Sequence, residues 1–191
     1  MAVAMSATAG VASAQPTMAP VNDAPNSYTT IENHFKMPEG RTWGSTSAVE
    51  IDKDGRSIWV GERCGANSCW DAAKGQMSPL PVLLKFDASG KLVQSFGSGI
   101  AVFPHGIHVD RDGNVWVTDH AANPANDKGQ VIYKFSPKGD VLMTLGKKGT
   151  PGNGPDTFNQ PSDVLVAPNG DIFVADGHGA QTNARIVKFD K

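Results

Sequence analysis

The residues most suited to chemistry lie in the stretch FPHGIHVDRDGNVWVTDH, Phe103 to His120. Its first histidine, His105, is set between a proline and a glycine. A neutral imidazole can ligate a zinc-class metal or exchange a proton near neutral pH. The same histidine could also do no more than cap the entry to a strand. Two other histidines, His120 and His178, each follow closely on an acid, in TDH and ADGH. His108 alternates with Ile107 and Val109 and so belongs to the opposite face from them, as a solvent or packing residue. His34 stands in an N-terminal alternating stretch and reads as structural.

The elements that must position these residues repeat. SAVEIDKDGRSIWVGER from Ser47, HGIHVDRDGNVWVTDH from His105 and SDVLVAPNGDIFVADGH from Ser162 align. Each is an alternating strand, an Asp-Gly or Asn-Gly turn, a second apolar strand and an acid just past it. The acids are Glu62, Asp119 and Asp176, and recurrence marks them for a structural task, bonding loop amides at the strand end. The turn glycines Gly55, Gly113 and Gly170 lie 58 and 57 residues apart, and residues tolerant of positive φ suit tight hairpins. A third strand follows at VLLKF, VIYKF and RIVKF, and outer fourth strands at KLVQSF and DVLMTL. Trp59, Trp116 and Phe173 share one position and read as core between repeats. Four antiparallel strands per unit, radially repeated, make a β-propeller blade. The fold class is all-β, with about three blades at residues 47–97, 105–146 and 162–191, an incomplete ring.

The repeats are longer than a typical blade of roughly 40–50 residues. The excess falls between the second and third strands, so the inserts crowd one end of the disc, where a rigid scaffold commonly carries binding loops. YTTIENHF, Tyr28 to Phe35, alternates outside the repeats and reads as a strand that closes a ring. Three blades alone leave blade flanks and strand edges bare, so further blades or self-association are expected to cover them.

Seventeen basic and nineteen acidic residues leave a net charge of −2, with no basic patch to argue for nucleic acid or an anionic membrane surface. No apolar run is long enough to span a bilayer. Residues 1–14 are small and mildly apolar and end in Ala12-Ser13-Ala14, a cleavage pattern without the basic n-region of a secretion signal. Residues 15–27 read as a flexible tether, and residues 28–191 as the partial propeller. Export predicts a periplasmic or secreted protein, and in that compartment Cys64 and Cys69 pair as a local disulfide.

FPHGIHVDRDGNVWVTD, FNQPSDVLVAPNGDIFVADG and ARIVKF resemble the NHL-repeat six-bladed propellers, and among them the peptidyl-α-hydroxyglycine α-amidating lyases and their bacterial relatives. The resemblance runs from about Ser47 to Phe189, roughly half of such a ring. It implies a channel zinc ligated by His105, and a calcium ion bound by the backbone carbonyls of Ile107 and Val49. It implies that Arg63 recognises a substrate carboxylate, a planar group that suits arginine better than lysine. At the position of the family's catalytic tyrosine this sequence has His178, an imidazole in place of a phenol. The remaining zinc ligands are implied in blades beyond these three, so this chain alone is expected to lack turnover. A site made by His105, His120 and His178 within the chain is geometrically awkward on this reading, because they come from two adjacent blades. The functions that follow are a C–N lyase giving an amide and glyoxylate, a non-catalytic propeller binding a peptide, protein or sugar through its loops, or a calcium-dependent lactonase-type hydrolase. The partner implied is a small carboxylate-bearing or peptide substrate.

Overall fold

The computed structural model describes residues 23–191, so the proposed leader and most of the tether lie outside the described residues. Residues 23–32 contain no strand. From Asn33 onward the chain folds as one unit, and among the described residues there is no helix. None is therefore long and apolar enough to cross a membrane.

Among the described residues, thirteen strands form three blades and one small hairpin. In the first blade, β1 (Thr46–Ile51), β2 (Ile58–Glu62), β5 (Leu83–Phe86) and β6 (Leu92–Phe96) pair in that order. In the second, β7 (Pro104–Val109), β8 (Val115–Asp119), β9 (Val131–Phe135) and β10 (Val141–Leu145) do the same. The third holds three strands, β11 (Pro161–Val166), β12 (Ile172–Asp176) and β13 (Arg185–Phe189). The hairpin β3 (Trp70–Asp71) and β4 (Gln76–Met77) folds within the first insert. All pairing within the blades is antiparallel. The first strands are neighbours, β1 on β7 and β7 on β11, as the inner strands of a propeller are. The all-β, incomplete propeller expected from the repeats is the observed fold.

The turns between first and second strands differ in detail from two-residue hairpins. Gly55, Gly113 and Gly170 have φ of 71°, 85° and 95°. The Asp or Asn before each is not left-handed, so only the glycine takes the positive φ. Each glycine N–H closes a turn on the carbonyl three residues back, Asp52, Asp110 or Ala167. Such turns connect strands through three or four residues and need glycine at the left-handed position alone.

The core lies between blades, as the shared aromatic position suggests. Trp59, 1% exposed, packs in one cluster with Val115, Val117 and Phe135 of the next blade, and Trp116 in a second with Val164 and Ile172. Each indole N–H is bonded as well, Trp59 Nε1 to Asp52 Oδ1 at 2.8 Å and Trp116 Nε1 to Asp110 Oδ2 at 3.0 Å. The third blade has Ala167 and Phe173 at the two positions, so donor and acceptor are lost together and no buried polar group is orphaned. Phe173 is only partly buried, and Leu165 and Ile186 beside it are 54% and 68% exposed. On that flank no further described strand packs.

The opposite flank is covered by the chain itself. Phe35 and Met37 pack on Val60, Leu84 and Phe86, and Trp43 lies 5.7 Å from the Phe86 ring. This corrects the closing strand expected over Tyr28–Phe35. That stretch pairs with nothing, Tyr28 and Ile31 are exposed, and Asn33 turns the backbone at φ 54°. Only Lys36 makes a bridge, parallel, to Lys91. Alternation alone does not make a strand, because strand preference depends on packing against neighbours.

Candidate functional site

The inner strands β1, β7 and β11 line a cleft of about 530 Å³. Ser47, Val49, Glu50, His105, Ile107, Asp163 and His178 are among its walls. Four of the five site residues named from the sequence therefore share one cleft. The fifth, Arg63, donates from Nη2 to Ser47 Oγ at 3.0 Å, on the rim of the same cleft. A separate cavity of about 400 Å³ lies at the turn end, between the second and third blades, with His108 and Trp116 in its wall. His108 thus faces away from the channel cleft, as its alternation requires.

Strand-end acids fix this end of the blades. Glu62 is fully buried; its Oε1 accepts from the amides of Gly44 (2.6 Å) and Gly65 (2.7 Å), and its Oε2 pairs with Arg41. Asp119 Oδ1 accepts from Val102 N and Phe103 N, at 3.0 and 2.7 Å. Asp176 accepts from Asn159 N and pairs with Arg185 at 2.8 Å. The repeated structural role read from their recurrence is the one observed. Burial pushes Asp119 up to about 7, against the backbone amides of Phe103 and Val102 that hold it down.

The residues just past these acids gather at one place. The His105 and His120 ring centroids are 5.1 Å apart, and each is 4.7 Å from that of His178. The sequence predicts an awkward geometry for a metal site made by these three histidines from two blades; the rings are nonetheless mutual neighbours. Pro104 at the start of β7 pairs with Asp119 at the end of β8, and Pro161 with Asp176. These registers set all three imidazoles at the same end. Gly106 then lets the third blade approach: a Cβ there would meet Asp163 Oδ1 and Ser162 O, both at 2.5 Å.

The imidazoles differ in surroundings. His105 Nδ1 lies 2.9 Å from the Ser162 carbonyl oxygen, so as a donor there it keeps Nε2 free. Burial lowers the His105 pKa, the Ser162 carbonyl opposes this, and the charges of His178 and Arg63 lower it further. His120 is 7% exposed and its Nδ1 is buried with no hydrogen-bond partner. Burial, then His105, His178 and Arg63, hold it down to about 4. His178 is exposed, on the loop after β12. Burial thus favours the neutral form of His105 and His120, the state in which imidazole binds metal.

Arg63 is buried and makes no pair with Glu62 or Asp71, the acids nearest it in sequence. Its Nε donates to the Pro104 carbonyl at 3.2 Å and its Nη1 to Asn67 Oδ1 at 2.9 Å. With the Ser47 bond these take three of five N–H donors. Its Cζ sits 3.5 Å from the Phe103 ring centroid, and Phe103 in turn lies 5.1 Å from the His120 ring. Sequence reading passed over Phe103; the signal available was its place directly before Pro-His-Gly. Cys64 and Cys69 are joined in a disulfide that closes the loop carrying Asn67.

An imidazole set of this kind fits zinc, which prefers nitrogen ligands and leaves a position open in catalytic sites. His105 with its second nitrogen anchored, and His120 with an orphaned buried nitrogen, are the observations that fit. Among the described residues no three side chains stand ready-aimed as a metal-holding group, so the rings would have to turn to share an ion. Calcium prefers oxygen, and the cleft is lined by Val49 and Ile107, whose backbone carbonyls could serve, and by the acids Glu50 and Asp163.

No protein-family model matches the chain. It is 33% identical over 161 residues to peptidyl-alpha-hydroxyglycine alpha-amidating lyase 1 of Drosophila melanogaster, covering 78% of this chain and 28% of that protein. It is 31% identical over 174 residues to the peptidyl-glycine alpha-amidating monooxygenase of Mus musculus, covering 81% and 17%. It is 32% identical over 162 residues to the human NHL repeat-containing protein 3, covering 82% and 41%. The chain thus spans well under half the length of these curated relatives. Among solved structures, a virginiamycin B lyase from Staphylococcus aureus superposes with a TM-score of 0.47 at 16% identity, over 81% of this chain and 43% of that one. By sequence and by blade architecture, the chain belongs with the NHL-repeat propeller proteins related to the peptidyl-alpha-hydroxyglycine alpha-amidating lyases.

Proposed function

We propose that this protein carries the channel site of a zinc-dependent amidating lyase, which cleaves a peptidyl-α-hydroxyglycine into a peptide amide and glyoxylate. One observation carries the reading: Arg63, His105 and His178 stand round one cleft at the same end of the inner strands. The reaction is redox-neutral. The carbinol O–H gives up its proton, its electrons form the C=O of glyoxylate, and the C–N pair leaves on nitrogen, which takes a proton.

Each residue has a task in that scheme. Arg63 keeps two N–H donors for the substrate carboxylate, in a pocket dry enough for a charged hydrogen bond to count. His105, anchored through Nδ1, would hold zinc through Nε2. A zinc ion held there would polarise the hydroxyl and lower its pKa. His178, exposed at the rim, exchanges the proton between hydroxyl oxygen and leaving nitrogen. The backbone carbonyls of Val49 and Ile107 would hold the calcium ion that the resemblance implies. Export to the periplasm or cell exterior accords with the Cys64–Cys69 disulfide, a bond that persists in oxidising compartments.

Glyoxylate release from an N-acyl α-hydroxyglycine, assayed with added zinc, tests the reading. Release above the spontaneous rate that is lost in His105→Ala and falls at least tenfold in Arg63→Lys supports it. Release no faster than spontaneous, from a folded chain that still binds the peptide through its loops, favours the non-catalytic propeller. The expectation that this chain alone lacks turnover rests on the remaining zinc ligands lying in further blades, and the same assay decides it.

A further inference from the structure

The three-histidine cluster differs from the ligand set that the sequence resemblance implies, in which His105 is joined by residues of other blades. His120 and His178 were given no metal role by it. Yet the three rings are mutual neighbours at 4.7, 4.7 and 5.1 Å. With Zn–N near 2.0–2.1 Å, two imidazoles on one tetrahedral zinc have centroids about 5 Å apart. Three imidazoles packed apolar-fashion have no need of that spacing for all three pairs.

We infer that His105, His120 and His178 together hold one zinc-class divalent ion within this chain. Three features favour it. His120 is more than nine-tenths buried, and its Nδ1 has no partner, a cost that a native site normally offsets with a ligand. His105 Nδ1 is fixed by the Ser162 carbonyl, the second contact that metal-bound histidines commonly make. His178 sits on the exposed turn held by Thr182, whose Oγ1 accepts from the amides of His178 and Gly179, so its ring can turn inward without disturbing a blade. Three nitrogens would leave a fourth zinc position for substrate or water. In this arrangement His178 holds the ion and the general acid–base is another group, such as bound water.

The inference rests on the metal-ligand role of His105 in the proposed function and replaces the proton-exchange role given there to His178. The test is cobalt(II) titration of the metal-stripped full chain, followed by the visible bands of four- or five-coordinate cobalt. One equivalent is expected, with affinity falling at least tenfold in each of His105→Asn, His120→Asn and His178→Asn. Should the buried His120→Asn variant fail to fold, the exposed His178→Asn decides, with an intact thermal transition as the control. Cobalt lost in His105→Asn but bound unchanged by His178→Asn overturns the trio and leaves the lyase reading in place. No visible bands with the wild-type chain overturns the trio outright, and glyoxylate release then judges the lyase reading separately.

Discussion

The Arg63 guanidinium lies over the Phe103 ring, 3.5 Å from its centroid, and joins the loop of the first blade to the entry of the second. The contact is reinforced by the bond from Arg63 Nε to the carbonyl of Pro104, the residue after Phe103. A cation over an aromatic face, away from water, is worth about 2 kcal/mol or more. It also sets the positive charge beside His105 and His120, where it disfavours their protonation.

Arg63→Lys keeps the charge and loses the planar fork. It is expected to lower unfolding stability by about 2 kcal/mol, through lost stacking and charged hydrogen bonds. Urea denaturation measures this. An unchanged midpoint would mean that Arg63 serves the cleft alone and does not tie the blades.

Gly106→Ala is expected to cost about 1–3 kcal/mol or more by overpacking, because its Cβ would press on Ser162 and Asp163. The strain falls on the contact between second and third blades. Hydrogen exchange should then accelerate in β11 and β12 before it does in β1 and β2. Uniform acceleration throughout would sink this account.

Glu62→Gln tests the strand-end acids. The Glu62 side chain is 0% and that of Arg41 7% exposed, and removing one partner of a buried pair costs about 3–5 kcal/mol. The glutamine carbonyl can still accept from Gly44 or Gly65. Glu62→Ala, which leaves those amides unpaired too, is therefore expected to melt lower than Glu62→Gln. Equal melting temperatures would refute the amide-capping role.

Asp110 predicts a pH dependence. Burial pushes its carboxyl up, but bonds from the Trp116 indole, Asn114 and the Asp112 amide outweigh that and leave the pKa below the ordinary 3.8. A carboxyl depressed on folding contributes stability that is full above its unfolded pKa and is lost as pH falls through the folded value. Wild type should therefore exceed Asp110→Asn in stability above about pH 4, and the two curves should converge in stronger acid. Parallel curves across that range would contradict it.

The repeats made much of this legible in advance. Alternating strands, the turn glycines and the recurring acids Glu62, Asp119 and Asp176 are local patterns, and local sterics and amide bonding turn them directly into strands and capped strand ends. The same alignment places Arg63, His120 and His178 just past equivalent acids, so their shared end of the blades could be read from the repeat. Their mutual contact could not. It depends on the β7–β8 and β11–β12 registers and on how closely Gly106 lets the third blade approach, distances set by packing between segments nearly sixty residues apart.

Tyr28–Phe35 shows the converse limit. Its alternation states a strand's periodicity, but a strand also needs neighbours to pair with and pack against, and this stretch pairs with no strand. The sequence by itself determined the blades, because their hydrogen bonds join near neighbours along the chain. Only the tertiary structure decided that Arg63 leans on Phe103, that the chain after Asn33 covers the first blade's flank, and that three imidazoles meet. Those outcomes turn on nonlocal packing and burial, to which no single segment's pattern responds.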